Sequence, residues 1–186
     1  MKLPFRVTPK VRIAEISAIP TVEMARGFSY EQWTELPLYR PSVLAGTTSE
    51  LKLLVEEIER KKLDLSCVDR GITVLTYSCS PLLDDIFRVL LWQTFGVPVY
   101  ELLVGPNRTL IAAECEAHEG WHVRPSADVS FVDGELMCTF RSCPPVQTGW
   151  LGRLEIEPCA CGRGSARLMD LVFPMQQTRR KLAATA

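Results

Sequence analysis

The alternation of apolar and polar positions is most regular between residues 42 and 104. "SVLAG" is a short apolar run bounded by Pro41 and Gly46, the pattern of a buried strand. In "TTSELKLLVEEIERKK" the residues Leu51, Leu54, Val55 and Ile58 recur at helical spacing. Thr48 or Ser49 stands where a cap is needed, and Arg60 to Lys62 complement the negative end of the helix dipole. The β-branched run "GITVLTY" predicts a second strand. "PLLDDIFRVLLWQTF" predicts a second helix, with Pro81 near its first position, acids in its first turns and Gly96 as its stop. "VPVYELLV" supplies a third strand. Strand, helix, strand, helix, strand with short connections predicts a parallel βαβαβ unit over 42–104.

After Gly105 the pattern changes to short strand-like pieces, "TLIAAEC", "WHV", "DVSFVDGELMCTF" and "GRLEIEP", divided by Gly, Pro and Asp-Gly. Asp133-Gly134 reads as a hairpin turn. A smaller antiparallel β portion is therefore expected over 105–175, and a flexible tail over 176–186. Residues 1–41 receive no assignment; "KVRIAEISAI" suits a strand and a short helix equally. The chain has no internal repeat and no low-complexity segment.

Composition changes little in this picture. At 186 residues, 47% apolar and 23% charged, the chain suits one domain with an ordinary core. A net charge of −1 gives no global field for nucleic acid or an anionic membrane, and neither is expected as a partner. No apolar run reaches the roughly 18 residues of a membrane span. Pro4, Arg6, Pro9, Lys10 and Arg12 stand where a signal peptide needs an apolar core, so a cytoplasmic protein is expected. In that reducing setting the seven cysteines (67, 79, 115, 138, 143, 159 and 161) read as metal ligands or buried small hydrophobes before disulfides.

The chemistry concentrates at two places. "AAECEAHEGWH" carries both histidines of the chain beside Cys115, and "PCACGRG" carries Cys159 and Cys161. Three thiolates and one imidazole are a preferred donor set for tetrahedral structural zinc. Cys115, Cys159 and Cys161 supply the sulfurs, and either His118 or His122 the nitrogen. Gly162 permits the tight turn that a C-x-C pair needs, and Arg163 is placed to offset the charge of three thiolates on a dication. Four protein ligands leave no open position for a catalytic water. The fold class is thus α/β, a parallel βαβαβ unit followed by an antiparallel portion closed by zinc.

"AAECEAHEGWHV" followed by "PCACGRG" resembles the phenylacetate–coenzyme A ligase branch of the adenylate-forming superfamily, which commonly reads A-x-E-C, then G-L-H, then C-x-C-G-R. The likeness extends through "RPSVLAGTTSELKLLVEEI" and "FGVPVYELL" and covers roughly residues 40 to 168, the central part of such a ligase. It implies His122 over His118 as the fourth ligand. It also implies an ancestry in enzymes that activate a carboxylate with ATP and pass the acyl group to coenzyme A.

The nucleotide motifs of that family are replaced here. Where the family has G-A-E-P beside adenine, this chain has "YSCSP", Tyr77 to Pro81. Where it has the Mg²⁺-holding glutamate of Y-G-x-(S/T)-E, this chain reads "ELLVGPNRT". The position of the aspartate that binds both ribose hydroxyls is Trp150, and an indole cannot accept two hydroxyl hydrogen bonds. No glycine-rich phosphate loop precedes residue 40, and the lid domain with its lysine would need roughly 100 further residues. The resemblance therefore implies a catalytically silent, zinc-stabilised relative. It would partner an acyl-CoA ligase, an acyl carrier protein or a thioester-processing enzyme, with an acyl or aryl thioester as ligand. Two alternatives are an ATP-independent acyl-transfer or thioester-processing enzyme and half of a split ligase. For the enzyme, Cys79 in "YSCSP" is the candidate nucleophile, just before a predicted helix, with Cys143 in "SCPP" as a second.

Overall fold

The computed structural model describes residues 11–60, 63–140 and 143–174. The expected tail over 176–186 lies outside them. Two compact units divide the chain: residues up to Leu75 with Leu83–Glu101, and Thr76–Leu82 with residues from Leu102 onward. The division falls after Leu75 and after Glu101, inside two strands, and not between 104 and 105 where the pattern changes.

The first unit holds strands β1 (Ile13–Glu15), β2 (Arg26–Gly27), β3 (Val43–Gly46) and the first part of β4 (Gly71–Tyr77) and of β5 (Val99–Val104). Its helices are α1 (Leu36–Tyr39), α2 (Thr48–Glu59) and α3 (Asp85–Phe95). Strands β2, β1, β3 and β4 lie side by side in that order, all parallel, and β5 follows β4. Every residue of β3 is buried, as parallel strands covered on both faces require. Leu44, Leu51, Leu54, Ile72 and Leu91 form one fully buried apolar cluster, so the helical spacing of α2 does aim its apolar stripe at the sheet.

Both helix starts differ from expectation. Helix α2 is capped by Thr47, not by Thr48 or Ser49: Thr47 Oγ1 accepts from Glu50 N at 3.3 Å while Glu50 Oε2 accepts from Thr47 N at 2.8 Å. That reciprocal box satisfies two amides at once, which neither later residue could do with Glu50. Helix α3 starts at Asp85, not at Pro81. The buried carboxylate of Glu101 takes the amide of Leu83 at 2.7 Å ahead of the helix, and the extended Asp84 then caps it, its Oδ1 accepting from Phe87 N at 2.7 Å. Gly96, with φ +66°, ends α3 as a glycine stop should.

Part of the unassigned segment joins this sheet. β1 sits between β2 and β3, and its buried Glu15 accepts from the amides of Thr21 and Val22 at 2.6 and 2.7 Å. Strands of two and three residues are too short to carry a readable alternation.

The second unit is antiparallel. The end of β5 pairs with β6 (Leu110–Glu114), and β6 pairs with β7 (Trp121–Val123). Beyond them come β11 (Arg167–Val172), β10 (Cys143–Glu155), β9 (Glu135–Phe140) and β8 (Asp128–Val132), in that order. Asp133 and Gly134, with φ of +51° and +82°, form the expected two-residue hairpin between β8 and β9. The pattern gave no sign of β11, nor of the first nine residues of β10. Pro144 and Pro145 argue against a strand, yet the register with β9 shifts between Cys143 and Val146 and β10 pairs with β11 only from Leu151 onward, so no regular ladder bond is asked of the prolines, which have no N–H to give. Leu103, Ile111, Leu136, Cys138, Trp150 and Leu168 form the core of this unit. No helix among the described residues is long and apolar enough to cross a membrane.

The cap assignment is testable. Asp84→Ala is expected to lower stability by about 1 kcal/mol in chemical denaturation, and Asp84→Asn by much less, since asparagine caps as well as aspartate.

Candidate metal centre

Two hairpin ends carry the ligands. At the end of β6, Cys115 O accepts from His118 N at 3.0 Å, and the chain turns back into β7 with His122 opposite Ala113. Gly120 makes this turn possible: its φ is +81°, and a side-chain carbon there would meet Leu168 O at 2.5 Å. Between β10 and β11, Cys159 O accepts from Gly162 N at 2.9 Å, and Gly162 has φ +78°. That turn puts Cys159 and Cys161 at the same place. β7 and β11 then pair antiparallel, His122 opposite Arg167, which sets the two turns beside each other.

The ligand atoms of Cys115, His122, Cys159 and Cys161 all lie within 4.8 Å of one another. Cys115 Sγ and Cys159 Sγ are 3.7 Å apart, and Cys161 Sγ is 3.3 Å from His122 Nε2. Sulfurs on a tetrahedral zinc at about 2.3 Å would be about 3.8 Å apart, so the donor set fits that ion in both chemistry and spacing. Cys115, His122 and Cys159 are buried and Cys161 is half-buried. His122 Nδ1 lies 2.9 Å from Ser165 Oγ, which orients the ring and leaves Nε2 facing the sulfurs. His118 is outside this group. Its side chain is 43% exposed, and its Nδ1 stands 3.8 Å from the Glu114 carboxylate.

Electrostatics follow from burial. Desolvation pushes the Cys115 thiol up to about 12, and the neighbouring thiols add to the effect. Burial lowers His122, with Arg163 acting in the same direction, so the imidazole is held neutral as a metal ligand must be. Cys161 moves the other way. Burial opposes ionisation there, but the Arg163 amide, the two adjacent thiols and the Arg163 charge together bring it below its ordinary value. Arg163 also pairs with Glu116 at 3.0 Å, so it serves both the cluster and the opposite turn.

Sequence reasoning missed three neighbours of the cluster: Ser165, Glu119 and Arg167. Glu119 Oε2 lies 3.6 Å from Cys159 Sγ and 3.3 Å from Ala160 N, and Arg167 reaches Glu119 from β11. No motif marks them, and only the unread strand β11 could have placed Arg167 opposite His122.

Two other sequence candidates stand elsewhere. Cys79 is exposed and occupies a turn with φ +62°. It does not sit at a helix start, because α3 begins only at Asp85, and it therefore lacks the dipole that would activate it. Of Cys143 only the backbone, at the start of β10, is described. Trp150 is wholly buried, and its Nε1 donates to Ser80 O at 2.9 Å. Cys79 N in turn donates to Thr148 O at 2.7 Å. The segment "YSCSP" and the strand carrying Trp150 are thus bonded to each other, with the indole filling the space beside them.

No protein-family model matches the chain, and no curated protein matches it in sequence. Solved structures do match in fold. 2-Hydroxyisobutyryl-CoA ligase, in an open conformation with 2-HIB-AMP and CoA, is 14% identical over 87% of this chain, with a TM-score of 0.65. Coronafacic acid ligase from Pectobacterium brasiliense is 16% identical over 88%, with a TM-score of 0.57. An anthranilate CoA ligase in complex with anthranoyl-AMP is 9% identical over 85%, with a TM-score of 0.58. The chain spans 44%, 39% and 39% of these structures, less than half of each. It shares its fold with part of each of these ligase structures.

The opposed thiol shifts predict an order of reaction. In metal-free protein between pH 7 and 9, iodoacetamide should modify Cys161 well before Cys115 and Cys138, the latter also pushed up to about 12 by burial. Peptide mass spectrometry over a pH series reads the order, and equal rates at Cys161 and Cys115 would contradict it.

Proposed function

We propose that the chain is a zinc-stabilised, acyl-CoA-ligase-like unit that does not carry out ATP-dependent adenylation and acts as an accessory subunit in an acyl or aryl thioester pathway. Its partner is an acyl-CoA ligase, an acyl carrier protein or a thioester-processing enzyme. The thiol–imidazole pattern favours the phenylacetate–coenzyme A ligase branch as its origin.

One observation carries the silent reading. At the position where the resemblance puts a ribose-binding carboxylate, Trp150 is fully buried and its single N–H donor is committed to Ser80. A carboxylate offers two acceptors to a diol, whereas an indole offers none. Moving the ring aside would break that bond and open a large cavity, a loss of about 3–5 kcal/mol by analogy with tryptophan truncation. Binding adenosine would have to offset this before gaining anything.

The zinc reading rests on the closed donor set. Cys115, His122, Cys159 and Cys161 would hold the ion with no position left for water, so its contribution is to folding.

Two measurements test the proposal. Calorimetric titration of ATP is expected to give no binding up to millimolar concentration, and micromolar binding with adenylate formation would end the silent reading. A strong chelator, or Cys159→Ser, is expected to lower the melting temperature by roughly 10 °C, the size of about 4 kcal/mol of linked metal binding. A melting curve unmoved by chelation, with no metal by elemental analysis, would refute the zinc reading.

A further inference from the structure

The guanidinium of Arg167 is almost completely buried, its side chain only 7% exposed, at the point where the two ligand turns meet. Its Nη1 donates to Glu119 O at 2.9 Å and to Glu119 Oε2 at 3.3 Å, both on the turn between β6 and β7. Its Nη2 donates to Glu157 O at 3.3 Å, on the connection between β10 and β11. One side chain therefore ties together the loop carrying Cys115 and the loop carrying Cys159 and Cys161. Through the Glu119 carboxylate, the same arrangement reaches Cys159 Sγ and the Ala160 amide.

This placement is costly for stability alone. Arg167 Nε is buried without a hydrogen-bond partner, and a buried guanidinium carries a desolvation penalty that an apolar residue would avoid. What an apolar residue cannot do is bond two main-chain oxygens on separate loops in the plane of one fork. Nor could it hold the Glu119 carboxylate that lies 3.6 Å from Cys159 Sγ.

We propose that Arg167 is a positioning residue of the metal centre, holding the two ligand-bearing turns at coordination distance before an ion arrives. The proposal rests on the metal reading above and assigns Arg167 no contact with the ion. Without the clamp, the metal-free loops separate, and binding must then reorder them. Affinity falls while the ligands, and hence the geometry of the loaded site, stay the same.

The test uses the whole chain with Co²⁺ as a spectroscopic probe and Zn²⁺ in competition with a chromophoric chelator. Arg167→Met, which keeps the stem and loses the fork, is expected to bind Zn²⁺ about 10- to 100-fold more weakly, the range typical of residues that orient metal ligands. Arg167→Lys, which keeps the charge but not the two-loop bond, should recover part of that loss and decides the matter if the methionine variant does not fold. Arg153→Met serves as control, since Arg153 is an exposed cation paired with Asp170 and Glu155 on the same sheet; it should match the wild type. All proteins that bind should give one tetrahedral Co²⁺ spectrum. Wild-type affinity in Arg167→Lys, or in a folded Arg167→Met, would overturn the positioning role and leave the metal centre intact. A wild type that binds neither ion would instead overturn the metal reading, and this proposal with it. An altered Co²⁺ spectrum in the variants would overturn it too, by showing a change of ligand in place of a change of preorganisation.

Discussion

Everything about the cluster depends on two residue pairs, His122 with Arg167 and Trp121 with Leu168, where β7 meets β11. Antiparallel neighbours have turns at their ends, and here two hairpins, β6–β7 and β10–β11, are joined along their shared inner strands. The pairing puts the β6–β7 turn and the β10–β11 connection at the same edge of the unit. Cys115 and Cys159 are 44 residues apart in sequence, yet their sulfurs stand at 3.7 Å. A one-residue slip would turn His122 to the opposite face and remove the nitrogen from the cluster. The register is protected by what lies behind it, because Leu168, opposite Trp121, is fully buried in the core of the unit.

How much of this could be read from the chain follows from what each feature depends on locally. The helices α2 and α3, the strands β3 to β5 and the Asp133-Gly134 turn announce themselves through periodicity or a required backbone angle. Helix starts did not, because the deciding partners were a capping glutamate at Glu50 and a carboxylate at Glu101, eighteen residues beyond Leu83. The four residues of the cluster were visible by type and spacing, since both histidines of the chain stand beside Cys115 and two more thiols follow at one place. Choosing between the histidines needed geometry or a likeness: His118 and His122 differ in which strand carries them, and only β7 has a partner at β11. Strand β11 was unreadable because Arg167 and Asp170 interrupt its alternation; one is buried in a polar network, and the other sits at φ +54°.

The two ends of the sequence resemblance have different physical fates in this unit. The thiol–imidazole pattern is kept together by backbone pairing and needs nothing from a nucleotide. Trp150, which the resemblance aligns with a ribose-binding acid, lies by contrast in the core. Trp150 packs with Leu136, Cys138 and Leu168, and its polar atom is satisfied internally by Ser80. A tryptophan with its one donor satisfied is a stable core element, and a carboxylate in its place would be a buried charge without that packing.

That asymmetry also explains why a metal would be of use here. Among residues 156–166, Cys159 alone is buried, and Ile156 is 80% exposed, so the connection between β10 and β11 has almost no apolar surface with which to hold itself. Ordering the backbone of eleven residues costs on the order of 10 kcal/mol. Hydrogen bonds reach this segment from Arg167, Glu119, Glu155 and the Cys159–Gly162 turn, and others join Arg163 to Glu116, Ser165 to His122 and Ala166 to Val123, at about 1 kcal/mol each, somewhat more where charged. They offset part of the cost. Structural zinc bound by thiolates and imidazole would supply the remainder, because its binding free energy is folding free energy. A loop this polar, bearing two buried or half-buried thiols and closed by a buried arginine, is one that coordination would hold in place of a hydrophobic core.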